Sequence, residues 1–355
     1  MTYNSTVEFM VSIRDIAKKV GISRSAVSLA LRNKPGVSEA TRAEVLRAAE
    51  ELGYQPNPEM SRMLSQVRQN EIPTYRSTLG WINMVSRDSN WFEYSFWQQV
   101  LAGAQNMAER LGYKFEQFWT KDPGLTEKRL SQILEARGIR GLCLGPTNDP
   151  ASIPDFNWSV FSAIFIGHAP NDLPIARVCS NHQQSISHAL ETVNQRGYSR
   201  VGLLLVKNME NLTSHLWESG LYLFQHLHQD SAETFLKIVE PDQFWGSEIK
   251  EWISDHQLDA ILSPHIDLLR YLKQEGFRVP GDLGFVCLDW DRSQAGVTGM
   301  NQRADRIGLV AMQVLHGLLD SQSSGESSHS LITLVDAHWN EGDTVTKASM
   351  PPYSS

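Results

Sequence analysis

The sequence predicts an α/β protein: a small N-terminal helical head, then a two-lobed core of doubly wound parallel sheets. Three observations predict it. From Thr78 onward, short apolar runs alternate with amphipathic helical stretches, the pattern of repeated βα units. Before that point the periodicity is helical only, and it is interrupted by turn residues. Charge is also divided. The 355 residues carry 32 Lys and Arg against 40 Asp and Glu, a net of −8, yet residues 1–70 hold ten basic against seven acidic side chains. Between Ser12 and Lys34 six basic residues (Arg14, Lys18, Lys19, Arg24, Arg32, Lys34) face one acid, Asp15. A basic head on an acidic body suggests a surface for a polyanion at one end and a different task at the other.

The head reads as three short helices within residues 10–56. Ser12 and Asp15 form a capping box, and Ile13, Ile16, Ala17 and Val20 make an apolar stripe. Gly21 suits a left-handed helix end. Ser23 can cap a second helix whose Ala26, Val27, Ala30 and Leu31 face the same core. After the loop Asn33-Lys34-Pro35-Gly36, Ser38 caps a third helix with Val45, Leu46, Ala49 and Leu52 inward. Residues 57–65 predict a fourth, two-turn helix: Asn57 caps it, Pro58 starts it, and Met60, Met63 and Leu64 share a face. Two turns are too short to be stable alone in water, so this segment needs a partner to fold. Residues 66–77 read as linker.

The core, residues 78–347, has strand candidates at Leu79–Val85, Gly141–Leu144, Ala163–Ile166, Val201–Val206, Ala260–Leu262 and Leu283–Leu288. Helices read at Trp97–Leu111, Thr126–Ala136, Gln184–Arg196, Glu218–Gln229, Ser247–Asp255, Ile266–Glu275 and Arg306–Leu319. This is more than one sheet holds comfortably, so two lobes with a cleft are expected. The N-lobe is placed at about 78–196 and 304–330, the C-lobe at about 197–303 and 331–347.

Several function classes find no support. Cys143, Cys179 and Cys287 are far apart and make neither a zinc spacing nor a disulfide framework, as expected of reduced thiols in the cytoplasm. Residues 1–11 lack the basic start and apolar core of a secretory leader. No apolar run approaches the ~18 residues of a membrane span. No GxGxxG follows a strand, no P-loop is present, and His182, His188, His226 and His228 form no metal motif. Neither an enzyme, a cofactor nor a metal is expected.

Helix, Gly-containing turn and helix at residues 12–32 is the strongest motif. A compact turn lets the second helix enter a DNA major groove about 12 Å wide. Its exposed start would be Ser23, Arg24, Ser25, Ser28 and Leu29. An ordinary three-helix bundle with a solvated basic face fits the same local pattern.

The run SIRDIAKKVGISRSAVSLALRN at residues 12–33 resembles the lactose-repressor (LacI/GalR) family of bacterial transcription regulators. So do PGVS at 35–38, Thr41-Arg42, LGYQPN at 52–57, GYSRVG at 197–202, GFRVPGD at 276–282, Leu288-Asp289 and WNEGDT at 339–344. The resemblance spans Ser12 to Thr346. It implies a helix-turn-helix head, a hinge helix and a periplasmic-binding-protein-like core that dimerises, with two heads on a pseudo-palindromic double-stranded operator. Arg24, Ser25 and Leu29 stand where the family reads bases: Arg24 can bond guanine O6 and N7, and Leu29 can touch a thymine methyl. Ser12, Ser23, Ser28, Arg32, Ser38 and Thr41 are phosphate-contact candidates, which position the head without reading sequence. Asn57 and Met60 belong to the hinge. Met63 stands where the family inserts an apolar wedge into the minor groove, with Leu64 one residue on as the alternative register.

The same resemblance implies a small-molecule effector in the cleft and places Asp289 against it; His265 follows the strand Ala260–Leu262 at a ligand-facing position, and Gln302, near the crossover, contacts the ligand or only the hinge. Apolar sugar faces suit stacking on Trp91 or Trp217 and hydroxyls suit Asp289, so a small, largely uncharged sugar or polyol is expected. Trp217 takes the place of an arginine often found before the Gly-aromatic pair of the family, and Trp91 is chosen from the aromatic cluster 91–97 as a stacking face. The expected protein is a cytoplasmic homodimeric repressor with no membrane partner. A sugar-binding transport receptor on the same core is the alternative from another class. A carbohydrate-active enzyme would need a catalytic constellation that the sequence does not show.

Overall fold

The computed structural model describes residues 13–31, 36–52, 76–89, 94–147, 149, 153–168, 175–207, 209–228, 232–240, 246–321 and 331–346. The chain divides into two compact units, Met1–Ile72 and Pro73–Ser355.

The first unit contains helices α1 (Ile13–Val20), α2 (Arg24–Leu31) and α3 (Glu39–Glu51). Their core is small: Ile16, Ala17, Val27, Ala30, Val45, Ala48 and Ala49. Four of these seven are alanines, which lets the helices approach closely but buries little apolar area per residue. Leu46, expected inward, is half exposed, since α3 turns Val45, Ala48 and Ala49 to the core instead. The 57–65 hinge helix, with Asn57, Met60 and Met63, lies outside the described residues.

The second unit has two lobes, each built on a six-stranded sheet. The first lobe carries β1 (Thr78–Asn83), α4 (Ser95–Arg110), β2 (Lys114–Trp119), α5 (Glu127–Ala136), β3 (Gly141–Leu144), β4 (Ser162–Ile166) and β5 (Ala176–Ser180). The second carries α6 (His182–Gln195), β6 (Arg200–Val206), α7 (Met209–Leu212), α8 (Leu216–Leu227) and β7 (Glu233–Val239). It continues with α9 (Ser247–Asp255), β8 (Ala260–Ser263), α10 (Asp267–Gln274), β9 (Gly284–Cys287) and β10 (Gly299–Asn301). The chain then returns to the first lobe as α11 (Ala304–Asp320) and β11 (Ile332–Val335), and ends in the second with β12 (His338–Asn340).

Sheet order is β11-β5-β4-β3-β1-β2 in one lobe and β12-β10-β9-β8-β6-β7 in the other. Described pairings are parallel except β10 with β12. Each sheet has apolar cores on both faces. That accounts for the unbroken burial of strands such as Gly141–Leu144, which read as continuous apolar runs. No helix among the described residues is long and apolar enough to cross a membrane.

Two expected lobe boundaries move. The sequence assigns α6 to the first lobe, but its Ile186, Ala189, Leu190 and Val193 pack with Val201, Leu203 and Leu205 of the second. The sequence assigns the segment from 331 to the second lobe, but β11 pairs with β5 of the first. The chain therefore crosses between lobes near residues 181, 302 and 336. Asn181 Nδ2 donates to Asp336 Oδ1 at 2.7 Å, tying two of these crossings together.

Candidate functional site

In the head, Gly21 sits at φ +74°, where an L side chain would be strained, and its N–H donates to Ala17 O at 2.9 Å. α1 ends there, and Ser23 restarts the chain as α2. Its Oγ accepts from Ala26 N–H at 3.2 Å and its carbonyl from Val27 N–H at 3.1 Å. Positions 24, 25, 28 and 29 occupy the first two turns of α2. Leu29 is half-buried, and a Cβ at Gly36 would lie 3.3 Å from its Cδ1. Ser38 caps α3: Oγ accepts from Thr41 N–H at 3.2 Å and hydrogen-bonds Thr41 Oγ1 at 2.8 Å. Ser23, Ser38 and Thr41 are thus tied to helix starts, whose free N–H groups attract phosphate. Ser12 and Arg32 lie outside the described residues.

In the core, a cavity of about 430 Å³ opens between the lobes. The first lobe lines it with Tyr94, Ser95, Phe96 and Gln99 at the start of α4. The second lobe contributes Val206, Pro264–Asp267, Asp289–Asp291 and Gln294, which follow the carboxyl ends of β6, β8 and β9. That is where an open α/β sheet offers a crevice. Residues Asn301–Ala304, one of the crossings, close the floor.

Three of the sequence-derived effector candidates, His265, Asp289 and Gln302, meet in this cavity. Burial pushes the Asp289 carboxyl up to about 7, and repulsion from Asp291 adds to it. Burial pushes His265 down to about 4, against a smaller pull from Asp267. Gln302 is 2% exposed. Its Nε2 donates to Leu288 O at 2.6 Å and Ser185 Oγ at 2.9 Å, so the crossing is pinned to β9 and α6. Leu288 O can only accept, which fixes the orientation of the Gln302 amide.

Trp217 is not a cleft residue. It is 2% exposed and packs in the core of the second lobe. The cause is the glycine three residues on: a Cβ at Gly220 would lie 2.2 Å from Ile186 Cγ2. α8 is therefore pressed onto α6, and Trp217 is folded beneath it. Its ring meets His182 edge-on at 4.7 Å, and His182 lies 5.3 Å from His168. Burial, with some repulsion from His168, holds His182 neutral down to about pH 3. Trp91 lies outside the described residues. Among the described residues, the rings of Tyr94, Phe96 and Trp290 line the cavity.

Asp291, Gln294, Gln99 and Arg303 were not singled out from sequence. Asp291 had a signal, an acid two residues beyond Asp289 at the same strand end. The other three lie on a helix or in loops whose approach to the cleft is set by the fold.

Residues 12–57 match the bacterial regulatory proteins of the lacI family, and residues 190–344 match a periplasmic binding protein-like domain. A probable HTH-type transcriptional regulator EndR of Paenibacillus polymyxa is 23% identical, with 95% of this chain and 99% of that one covered. A lac repressor dimer bound to operator and the anti-inducer ONPF superposes with a TM-score of 0.58 at 19% identity, covering 96% of this chain and 100% of that one. A complex of the transcriptional regulator CelR with cellobiose gives 0.55 at 18% identity, covering 94% and 99%.

Proposed function

We propose that the chain is a regulator of the lacI family, whose model matches residues 12–57, with a division of labour between its two units. The protein is a DNA-binding transcriptional regulator, not an enzyme. The head binds operator DNA in the cytoplasm as one of a symmetric pair, and the core joins the pair and senses a small sugar or polyol. Arg24, Ser25 and Leu29 read bases; Ser12, Ser23, Ser28, Arg32, Ser38 and Thr41 hold phosphates; Asn57, Met60 and Met63 act in the hinge. Repression is the expected output, as for the lac repressor.

The observation that carries the effector reading is the cavity itself. It draws residues from both lobes and from the crossing at 301–304. A ligand seated there touches both lobes at once and favours one lobe arrangement by its differential contacts. Its volume is that of an ordinary small-molecule site. A transport receptor on the same core would have no use for the helix-turn-helix match at residues 12–57.

The test is selection of bound sequences from random DNA by the full chain, followed by affinity for the recovered site with and without sugars. A pseudo-palindromic site and a sugar-dependent change in affinity are expected. Recovery of no preferred sequence would overturn the reading of the head. An affinity indifferent to every sugar would overturn the sugar-effector reading of the cleft.

A further inference from the structure

The polar lining of the cleft is unbalanced in a way that a neutral sugar does not correct. Among its described residues, Asp267, Asp289 and Asp291 bring three carboxylates against one guanidinium, Arg303. Asp267 already faces Arg270 at 3.1 Å, and one Asp291 oxygen accepts from Ser293 N–H at 2.7 Å. Asp289 differs. Among the described residues no group donates to its carboxylate, and its charged influence is Asp291, which repels. A partly buried carboxylate beside a like charge, with no donor on it, is costly in its ionised form; the cost is relieved by a proton or by a cationic partner from outside.

A second observation is independent of the acids. Gln302, 2% exposed, spends its amide nitrogen on Leu288 and Ser185, and its Oε1 has no hydrogen-bond partner. Gln294 Oε1 is also without one. Both are acceptors on cavity-lining residues. On Asp289, Gln302 and Gln294 the unpartnered atoms are therefore all acceptors. A sugar hydroxyl supplies one donor and adds acceptor lone pairs; an ammonium supplies three donors, no acceptor and a positive charge.

We propose that this cleft takes a cationic, hydroxylated ligand, an amino sugar or polyhydroxylated amine, with its ammonium against Asp289 and Asp291 and its hydroxyls toward Gln302 and Gln294. Phe96 and Trp290 offer apolar faces for the ring carbons, and a cation near Trp290 gains from its π-face as well. The inference rests on the reading of this cavity as the effector site, and deepens it by naming the ligand class.

The experiment uses the full chain and three matched sets of probes: D-glucosamine, D-galactosamine and D-mannosamine; their N-acetyl derivatives; and the parent hexoses with their 6-phosphates. Binding is read by quenching of tryptophan fluorescence and by the thermal midpoint of the core. At least one free amine should bind at least tenfold tighter than its acetylated and parent counterparts, and added salt should weaken it. Asp289→Asn, nearly isosteric, should erase that preference while leaving the midpoint of the unliganded protein unchanged or raised. An acetylated, neutral or phosphorylated member binding as tightly as its amine would overturn the cationic inference and leave the effector site standing. Preference for the amine persisting in Asp289→Asn would overturn the assignment to that carboxylate. Silence across all sets would remove the hexose-effector reading and this inference together.

Discussion

Ser38 occupies two roles that a pair of substitutions separates. It caps α3 through Thr41 N–H, and it stands among the expected phosphate contacts. Removing a capping hydroxyl costs about 1 kcal/mol. A unit with this small a core has about 3 kcal/mol or a little more of stability to lose from. Falling from about 3 to about 2 kcal/mol lowers the folded fraction of the head from about 99% to about 97%. Through stability alone, Ser38→Ala therefore changes operator affinity by only a few per cent. A lost hydrogen bond to a phosphate is worth about 1.5–3 kcal/mol, or about tenfold and more for each head. Ser38→Asp keeps the cap and gains from the helix dipole, yet sets a carboxylate against the phosphate. Operator affinity is measured by fluorescence anisotropy on the selected site, and head stability by hydrogen exchange of the α3 amides. Ser38→Ala should weaken binding about tenfold or more with only modestly faster exchange, and Ser38→Asp should bind worst with exchange no faster than the parent. If both variants bind as the parent does, Ser38 is a cap and nothing more, and its phosphate role is refuted.

Further outcomes concern the reading helix and the core. Arg24→Ala should cost about 1–3 kcal/mol and relax preference at one base position in a repeated selection; equal weakening on every sequence would make Arg24 a phosphate contact. Gly308→Ala should destabilise the core by about 4 kcal/mol or more, read as a large drop in its calorimetric midpoint, because its Cβ would lie 1.9 Å from Val100 O and force α11 off α4; a near-native midpoint would contradict that close packing. Asp289→Asn should stabilise the unliganded protein in a pH-dependent way. The native carboxyl titrates at about 7 against an ordinary 3.8, so the folded state holds the proton longer and the parent loses stability as pH rises between those values. The difference between variant and parent should thus be near zero at about pH 4, grow toward pH 7 and level off above it; a difference flat across that range would show that Asp289 is not perturbed by its surroundings. His182 and His265 work in the opposite sense. Held at about 3 and about 4 against an ordinary 6.5, they stabilise the core above 6.5, and that contribution is lost as pH falls through their folded values. Replacing His182 with Gln should flatten the acid limb of the core's thermal midpoint against pH; an unchanged acid limb would show that His182 is protonated in the folded core.

The sequence by itself determined what is settled within a few residues along the chain. Gly21 ending α1, Ser23 and Ser38 starting α2 and α3, and the spacing of Ile16, Ala17, Val27 and Ala30 are local events, and each stands in the structure. Strands buried on both faces, Gly141–Leu144 and Gly284–Cys287, were legible because a continuous apolar run needs no neighbour to be recognised. Edge strands were not: β2 and β7 mix Lys114, Glu116, Glu233 and Lys237 with apolar residues, because one side of each meets solvent. The short strands β10, β11 and β12 exist only through their pairing partners. The allegiance of α6, the burial of Trp217 and the composition of the cleft were likewise decided by tertiary structure alone. The family resemblance puts Trp217 in the cleft, but contact between Gly220 and Ile186 closes α8 over it. Asp289 was legible as the polar end of a strand, whereas its neighbours Gln99, Gln294 and Arg303 come from separate parts of the chain. Each of these three carries donors, yet none donates to the Asp289 carboxylate, and only the folded chain decides which donor reaches which acceptor.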